Sequence, residues 1–168
     1  MMNPTTTHFV EPLMLQDEHA EGQSMQNNVD CETILKSLIF MADGVATTIG
    51  ANGARAAMRQ AGHRAAVDLL EALPLQLEVD VAIQRVGPVM QELGFVQELI
   101  PDGDSIIVRD DLIAGELREL ELEAYRHPAC YYTIGLFEGF VYVLSHTRVS
   151  VARQEMTDNG EVWTLQRG

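Results

Sequence analysis

The chain has 168 residues, 46% hydrophobic and 21% charged, which is globular composition and enough for one core without disulfides or metal. Its formal charge is −14, with Lys36 the only lysine, and a field of that sign disfavours phosphate backbones and anionic membrane surfaces. Two cysteines, Cys31 and Cys130, do not make a disulfide framework in a chain this size.

The first residues, MMNPTTTHFVEPLMLQDEHAEG, lack a basic start and a continuous apolar run, so no signal peptide is expected. Residues 1–29 read as a flexible acidic tail without a sustained period, followed by a single α+β domain over 30–168. Asp30 is the expected N-cap of a helix over 31–49, with Ile34, Leu38, Ala42, Val45 and Ile49 as its buried stripe. Gly50 and Gly53 bracket a break. An Ala-rich helix follows over 54–72, interrupted at Gly62 and closed by Pro74.

Val79–Leu93 predicts a third helix with the stripe Ala82, Val86, Met90 and Leu93, kinked or restarted at Pro88 and stopped at Gly94. Phe95–Ile100 and Ser105–Arg109 flank a Pro-Asp-Gly-Asp turn and read as a hairpin. Residues 111–124 are Leu/Glu-rich and helical in pattern, ending at His127-Pro128.

CYYTIGLFEGFVYVLSH has β-prone composition but helical spacing: Cys130, Ile134, Phe137, Val141 and Leu144 fall at steps of four, three, four and three. The spacing predicts a helix. It is also too short and too interrupted to span a membrane. Arg148–Glu155 and Glu161–Arg167 flank Thr-Asp-Asn-Gly as a second hairpin, with Val149 and Val151 on one face and Trp163 and Leu165 on one face. Helices first and strands later argue for an α+β fold, an antiparallel sheet of two hairpins packed against four or five helices.

Chemical motifs are sparse. IGANGAR (49–55) lacks both the preceding strand and the spacing of a dinucleotide fingerprint, and no P-loop lysine exists. His8, His19, His63, His127 and His146 are scattered and read as structural rather than metal-binding. Cys130 begins an apolar stripe, where a thiol acts as a small core hydrophobe more readily than as a nucleophile paired with His127.

Gly135 and Gly139 form G-x-x-x-G, a place for close approach by a helix neighbour, a dimer mate or the wall of a ligand tunnel. Glu138 between them is expected to meet solvent or an arginine, with a polar handle in a pocket as the sharper alternative. Nine acids between Glu98 and Glu123 against Arg109 and Arg118 make a solvated face, or a docking surface for a basic protein partner.

The run IGANGARAAMRQAGHRAA, the mid-domain QELGF before a hairpin, the cysteine-led helix CYYTIGLFEGFVYVL and the closing RVSVARQEMTDNGEVWTL follow one another in an order that resembles the 4-vinyl reductase domain family. That family shares its fold with core subunits of the TRAPP vesicle-tethering complexes. The resemblance covers 31–167. It implies a domain that pairs into homodimers and encloses an apolar cavity, serving as a small-molecule or hydrocarbon sensor or as an accessory factor in tetrapyrrole metabolism. Where the family's closing hairpin commonly carries two further cysteines, this chain has Met156 and Trp163.

Met58, Tyr131, Tyr132, Gly135, Phe137, Gly139, Phe140 and Trp163 are the candidate ligand-binding residues. Aromatics and methionines adapt to variable apolar ligands, and the same residues serve equally as core. The expected function is binding of a small apolar molecule by a cytoplasmic regulatory module, without membrane insertion or a nucleic-acid partner. A tetrapyrrole vinyl reductase or its accessory factor, and an assembly adaptor, stand as alternatives. No cofactor is specified by the sequence.

Overall fold

One long helix, α1, spans Ala20–Leu69, and its single irregularity is Gly50, whose φ of +80° and ψ of 161° suit a residue without a Cβ. A computed structural model describes residues 20–70, 76–158 and 160–168, with side chains from Glu32 onward. The chain divides into two compact units, Met1–Thr33 and Ile34–Gly168. Of the first, the described residues 20–33 are helical, so Asp30 lies inside α1 and not at its cap. Residues 1–19 of the expected tail, Pro74 and Asn159 lie outside the described residues.

Gly53 and Gly62 also differ from expectation, since the helix continues through both. Gly50 alone separates a first limb, up to residue 49, from a second limb, 51–69. The expected buried stripe is displaced as well. Ile39 and Ala42 are fully buried, whereas Ile34 and Ile49 are exposed and Leu38 and Val45 only half-buried.

The helix α2, Val79–Glu92, buries Ala82, Val86 and Met90 as its spacing requires and runs unbroken through Pro88. Leu93 is exposed just beyond its end, where Gly94 takes φ +75° and its N–H donates to the Gln91 carbonyl. The strands β1, Glu98–Asp102, and β2, Ser105–Arg109, pair antiparallel around a two-residue turn.

The next helix, α3, spans only Leu112–Glu119. A separate 3-10 turn, Ala124–Arg126, takes up the end of the predicted helix. A second 3-10 turn, Pro128–Cys130, leads into α4, Tyr131–Ser145, so helical spacing prevails there over β-prone composition. The closing hairpin is β3, Val149–Thr157, and β4, Gly160–Arg167.

The four strands form one antiparallel sheet in the order β1-β2-β4-β3, packed against helices, which makes the fold α+β. The inward faces carry Leu99, Ile106, Val108, Trp163, Leu165, Val149 and Val151, which join α2, α4 and Ala66 in the main core. A second cluster gathers Ile39, Ala42 and Met58 of α1 with Ile113, Leu117, Ala129 and Cys130. Tyr131 and Tyr132 touch both clusters.

The second limb of α1 lies backbone to backbone against α4. A Cβ on Gly62 would overlap the Tyr132 carbonyl oxygen, and one on Gly135 would overlap that of Arg59. One on Gly139 would stand 2.6 Å from both the His63 oxygen and the Ala66 methyl. The G-x-x-x-G pair therefore faces a helix neighbour.

Candidate functional site

The turn after β2 begins at Asp110, whose φ of +47° is a left-handed conformation that aspartate tolerates better than most residues. It swings Asp111 into the N-cap of α3, where Oδ1 accepts from the Ala114 N–H at 2.9 Å. Across from it, β4 opens with Glu161 on the same strand face as Trp163 and Leu165. These two carboxylates are buried and line one hollow of about 450 Å³.

Its wall also includes Val108, Arg109 and Asp110 after β2, Arg118 of α3, the 3-10 residues Ala124 and Tyr125, Cys130, and Met156, Thr157 and Asp158 at the β3–β4 turn. Tyr125 donates its hydroxyl to the Gln154 carbonyl, which ties the 3-10 turn to β3. Gly160, at φ +124°, lets that turn pass the Val108 carbonyl oxygen, 2.6 Å from where a Cβ would stand.

Burial raises the carboxyl pKa of Asp111 above the ordinary range, against the pull of the Ala114 N–H and the Thr133 hydroxyl. Burial does the same to Glu161, reinforced by the Asp111 charge and opposed by donors on Trp163 and Gln154. The Trp163 Nε1–H reaches Glu161 Oε1 at 2.6 Å, and the Gln154 amide donates to the same oxygen. Cys130 is pushed up by burial and by both carboxylates, and its thiol donates to the Ala124 carbonyl at 3.1 Å. A thiol so held is a poor nucleophile. The hollow thus offers apolar wall beside four acids, two of them buried with raised carboxyl pKa values, and two arginines. Chemically, such an arrangement can offer hydrogen bonds and contact area to a small molecule.

The eight residues singled out from the sequence sit elsewhere. Phe137, Phe140 and Trp163 are fully buried in the main core, with the Phe137 and Trp163 rings edge-on at 5.7 Å. Gly135 and Gly139 meet α1, Met58 belongs to the second cluster, and Tyr131 and Tyr132 bridge the two clusters. None lines the hollow. Trp163 comes nearest in effect, through its hydrogen bond to Glu161. Sequence reasoning passed over Asp111 and Glu161. One more step of two back from Trp163 along β4 reaches Glu161, and Asp111 directly before an apolar-periodic run is an N-cap signal.

Glu138 is buried and paired with an arginine. Arg59 Nε donates to its Oε2 at 2.7 Å, the other guanidinium nitrogen binds Oε1, and the Val151 N–H donates to Oε1 at 2.7 Å. Arg59 also donates to the Val151 carbonyl at 3.1 Å, so the pair satisfies backbone of the edge strand β3 beside its bulge. The Glu138 hydrogen bond raises the Arg59 pKa further, against the cost of its burial. Glu138 also borders a second hollow, of about 510 Å³, with His63, Arg148 and Arg167, and Arg167 is held there by Asp80 at 2.8 Å.

His127 accepts from the Ala129 N–H through Nδ1 and meets Asp43 through Nε2 at 2.9 Å, a structural role. Among the described residues no group of three or more His, Cys, Asp or Glu side chains is arranged to hold a metal ion. The acidic stretch 98–123 is partly consumed internally, with Glu98 on Arg109, Asp104 near Arg167, Glu116 near Lys36 and Asp111 buried. The chain matches no protein-family model and no curated protein.

Proposed function

We propose that the protein is a small-molecule-binding regulatory or accessory module of the 4-vinyl reductase type, and that its ligand occupies the hollow between α3 and the β3–β4 turn. The observation that carries this reading is the pair of buried carboxyls, Asp111 and Glu161, at the wall of a hollow of about 450 Å³. That volume falls in the usual range for ligand sites. An apolar ligand body would lie on Val108, Ala114, Ala124, Tyr125 and Met156, with the buried carboxyls and the two arginines of the wall as its polar partners.

Trp163 is the only tryptophan and hydrogen-bonds Glu161, so its emission reports on the wall directly. Native mass spectrometry of the purified protein is expected to show a retained small molecule. Titration with Nile red, a neutral apolar probe, should change Trp163 emission saturably. Ala124→Phe in the wall and Met156→Phe at the exposed rim should both weaken that response by about tenfold, the effect of about 1.4 kcal/mol. A protein with no retained mass and no saturable response overturns the reading in favour of an assembly adaptor. That second reading is favoured by the exposed apolar side chains Ile34, Met41 and Ile49 on α1.

A further inference from the structure

Three acids are buried among the described residues, Asp111, Glu138 and Glu161. Two of them have a cation of the chain beside them. Arg59 binds both oxygens of Glu138. Burial raises the Asp111 carboxyl pKa, and the Arg118 charge acts against that rise. Glu161 has no such relief, since no arginine or lysine among the described residues pairs with it. Burial raises its pKa as well, and the charge that bears on it is that of Asp111, of the same sign.

Its hydrogen bonds are one-sided. The Trp163 Nε1–H and the Gln154 amide both donate to Oε1, and Oε2 receives no donor from the described residues. A carboxylate removed from water with one oxygen unmatched and no counter-charge is costly, and a cation with N–H donors relieves both defects at once. Glu161 lines the hollow of about 450 Å³, so such a group can reach it from there.

The surroundings favour the same sign. Asp110 and Asp158 line the hollow together with the two buried acids, and of its two arginines Arg109 is held by Glu98 at 2.8 Å. The whole chain carries −14, a field that concentrates small cations and repels anions. A bare metal ion fits less well, because no three His, Cys, Asp or Glu side chains among the described residues are arranged to hold one.

We propose that the ligand of this hollow is an organic amine bound as its ammonium ion, which takes Glu161 as counter-ion and donates to Oε2 while its apolar body lies on the wall. This rests on the reading of the hollow as the ligand site and adds the charge of the ligand.

Octylamine, 1-octanol and octanoate share one apolar body and carry a positive, a neutral and a negative head at pH 7. Each is titrated into the full chain and followed by Trp163 emission and by calorimetry. Octylamine should bind at least about tenfold more tightly than 1-octanol, and octanoate more weakly than either. Glu161→Gln should bring the preference for octylamine over 1-octanol close to one. Asp102→Asn, which removes the same charge at the exposed end of β1 outside the hollow, should keep that preference. The ranking in the wild type decides even where the Glu161 variant does not fold. Equal binding of octylamine and 1-octanol, tightest binding of octanoate, or a preference that survives Glu161→Gln overturns the proposal and leaves the hollow a site for a neutral or acidic ligand. A preference lost equally in Asp102→Asn overturns it in favour of the general field of the chain. Saturable binding by none of the three overturns it together with the reading on which it rests.

Discussion

Glu161 enters β4 at an inward position and so must be buried wherever the sheet packs, and its cost appears as a pKa shift. A carboxyl whose folded pKa lies above its unfolded value binds more protons in the folded state. Its contribution to stability is fully present below the unfolded pKa, about 4.3 for Glu, and is lost as pH rises through the folded value. Asp111 has the same sign. Glu161→Gln keeps an acceptor for Trp163 and Gln154 but removes the titration. The melting temperatures of variant and wild type should be close at pH 4, and the variant should gain on the wild type as pH rises to 8. A gap independent of pH would show that the carboxyl ionises in the fold as it does in the unfolded chain.

At the scale of the element, α1 and α4 are held by the absence of side chains as much as by their presence. Gly62, Gly135 and Gly139 bring the two backbones into contact, and the Arg59–Glu138 pair closes the same junction toward β3. Since the atom opposing Gly135 is a main-chain carbonyl, no side-chain rotation relieves an added methyl. Gly135→Ala is therefore expected to lower stability by about 2–3 kcal/mol, at the upper end for overpacking, read from urea unfolding. Gly44→Ala, at a helical glycine with open space around its Cβ, should instead raise stability slightly. If Gly135→Ala proved as benign as Gly44→Ala, the helices would not touch where described.

For the unit Ile34–Gly168, the question of scale is whether two apolar clusters make one cooperative body. Tyr131 and Tyr132 contact both, and α1 contributes Ala66 to one and Ile39, Ala42 and Met58 to the other. They should unfold together. Trp163 fluorescence reports the first cluster and helical circular dichroism reports α1 and α3 as well, so their urea midpoints should coincide. Separated midpoints would mean that the second cluster opens first.

Periodicity and turn chemistry are local properties, and what depends on them was legible in the chain. The 3.6 period from Cys130 to Leu144 specified α4 against its β-prone composition. The Pro-Asp-Gly-Asp turn specified the first hairpin, and the alternation around Trp163 and Leu165 specified the inward face of β4. Burial is not local. Ile34, Leu38, Val45 and Ile49 carry a perfectly helical stripe, but a neighbouring face of the same helix found a partner within the chain, and only the placement of α3 and the 3-10 turns decided which. The same holds for the hollow. Asp111 and Glu161 are fifty residues apart, each with an ordinary local role as a cap and a strand residue. They meet because β2 and β4 are neighbours in the sheet, with Val108 paired to Glu161. Sequence spacing carries no information about that adjacency, because the distance between two elements is set by how the whole chain buries its apolar surface.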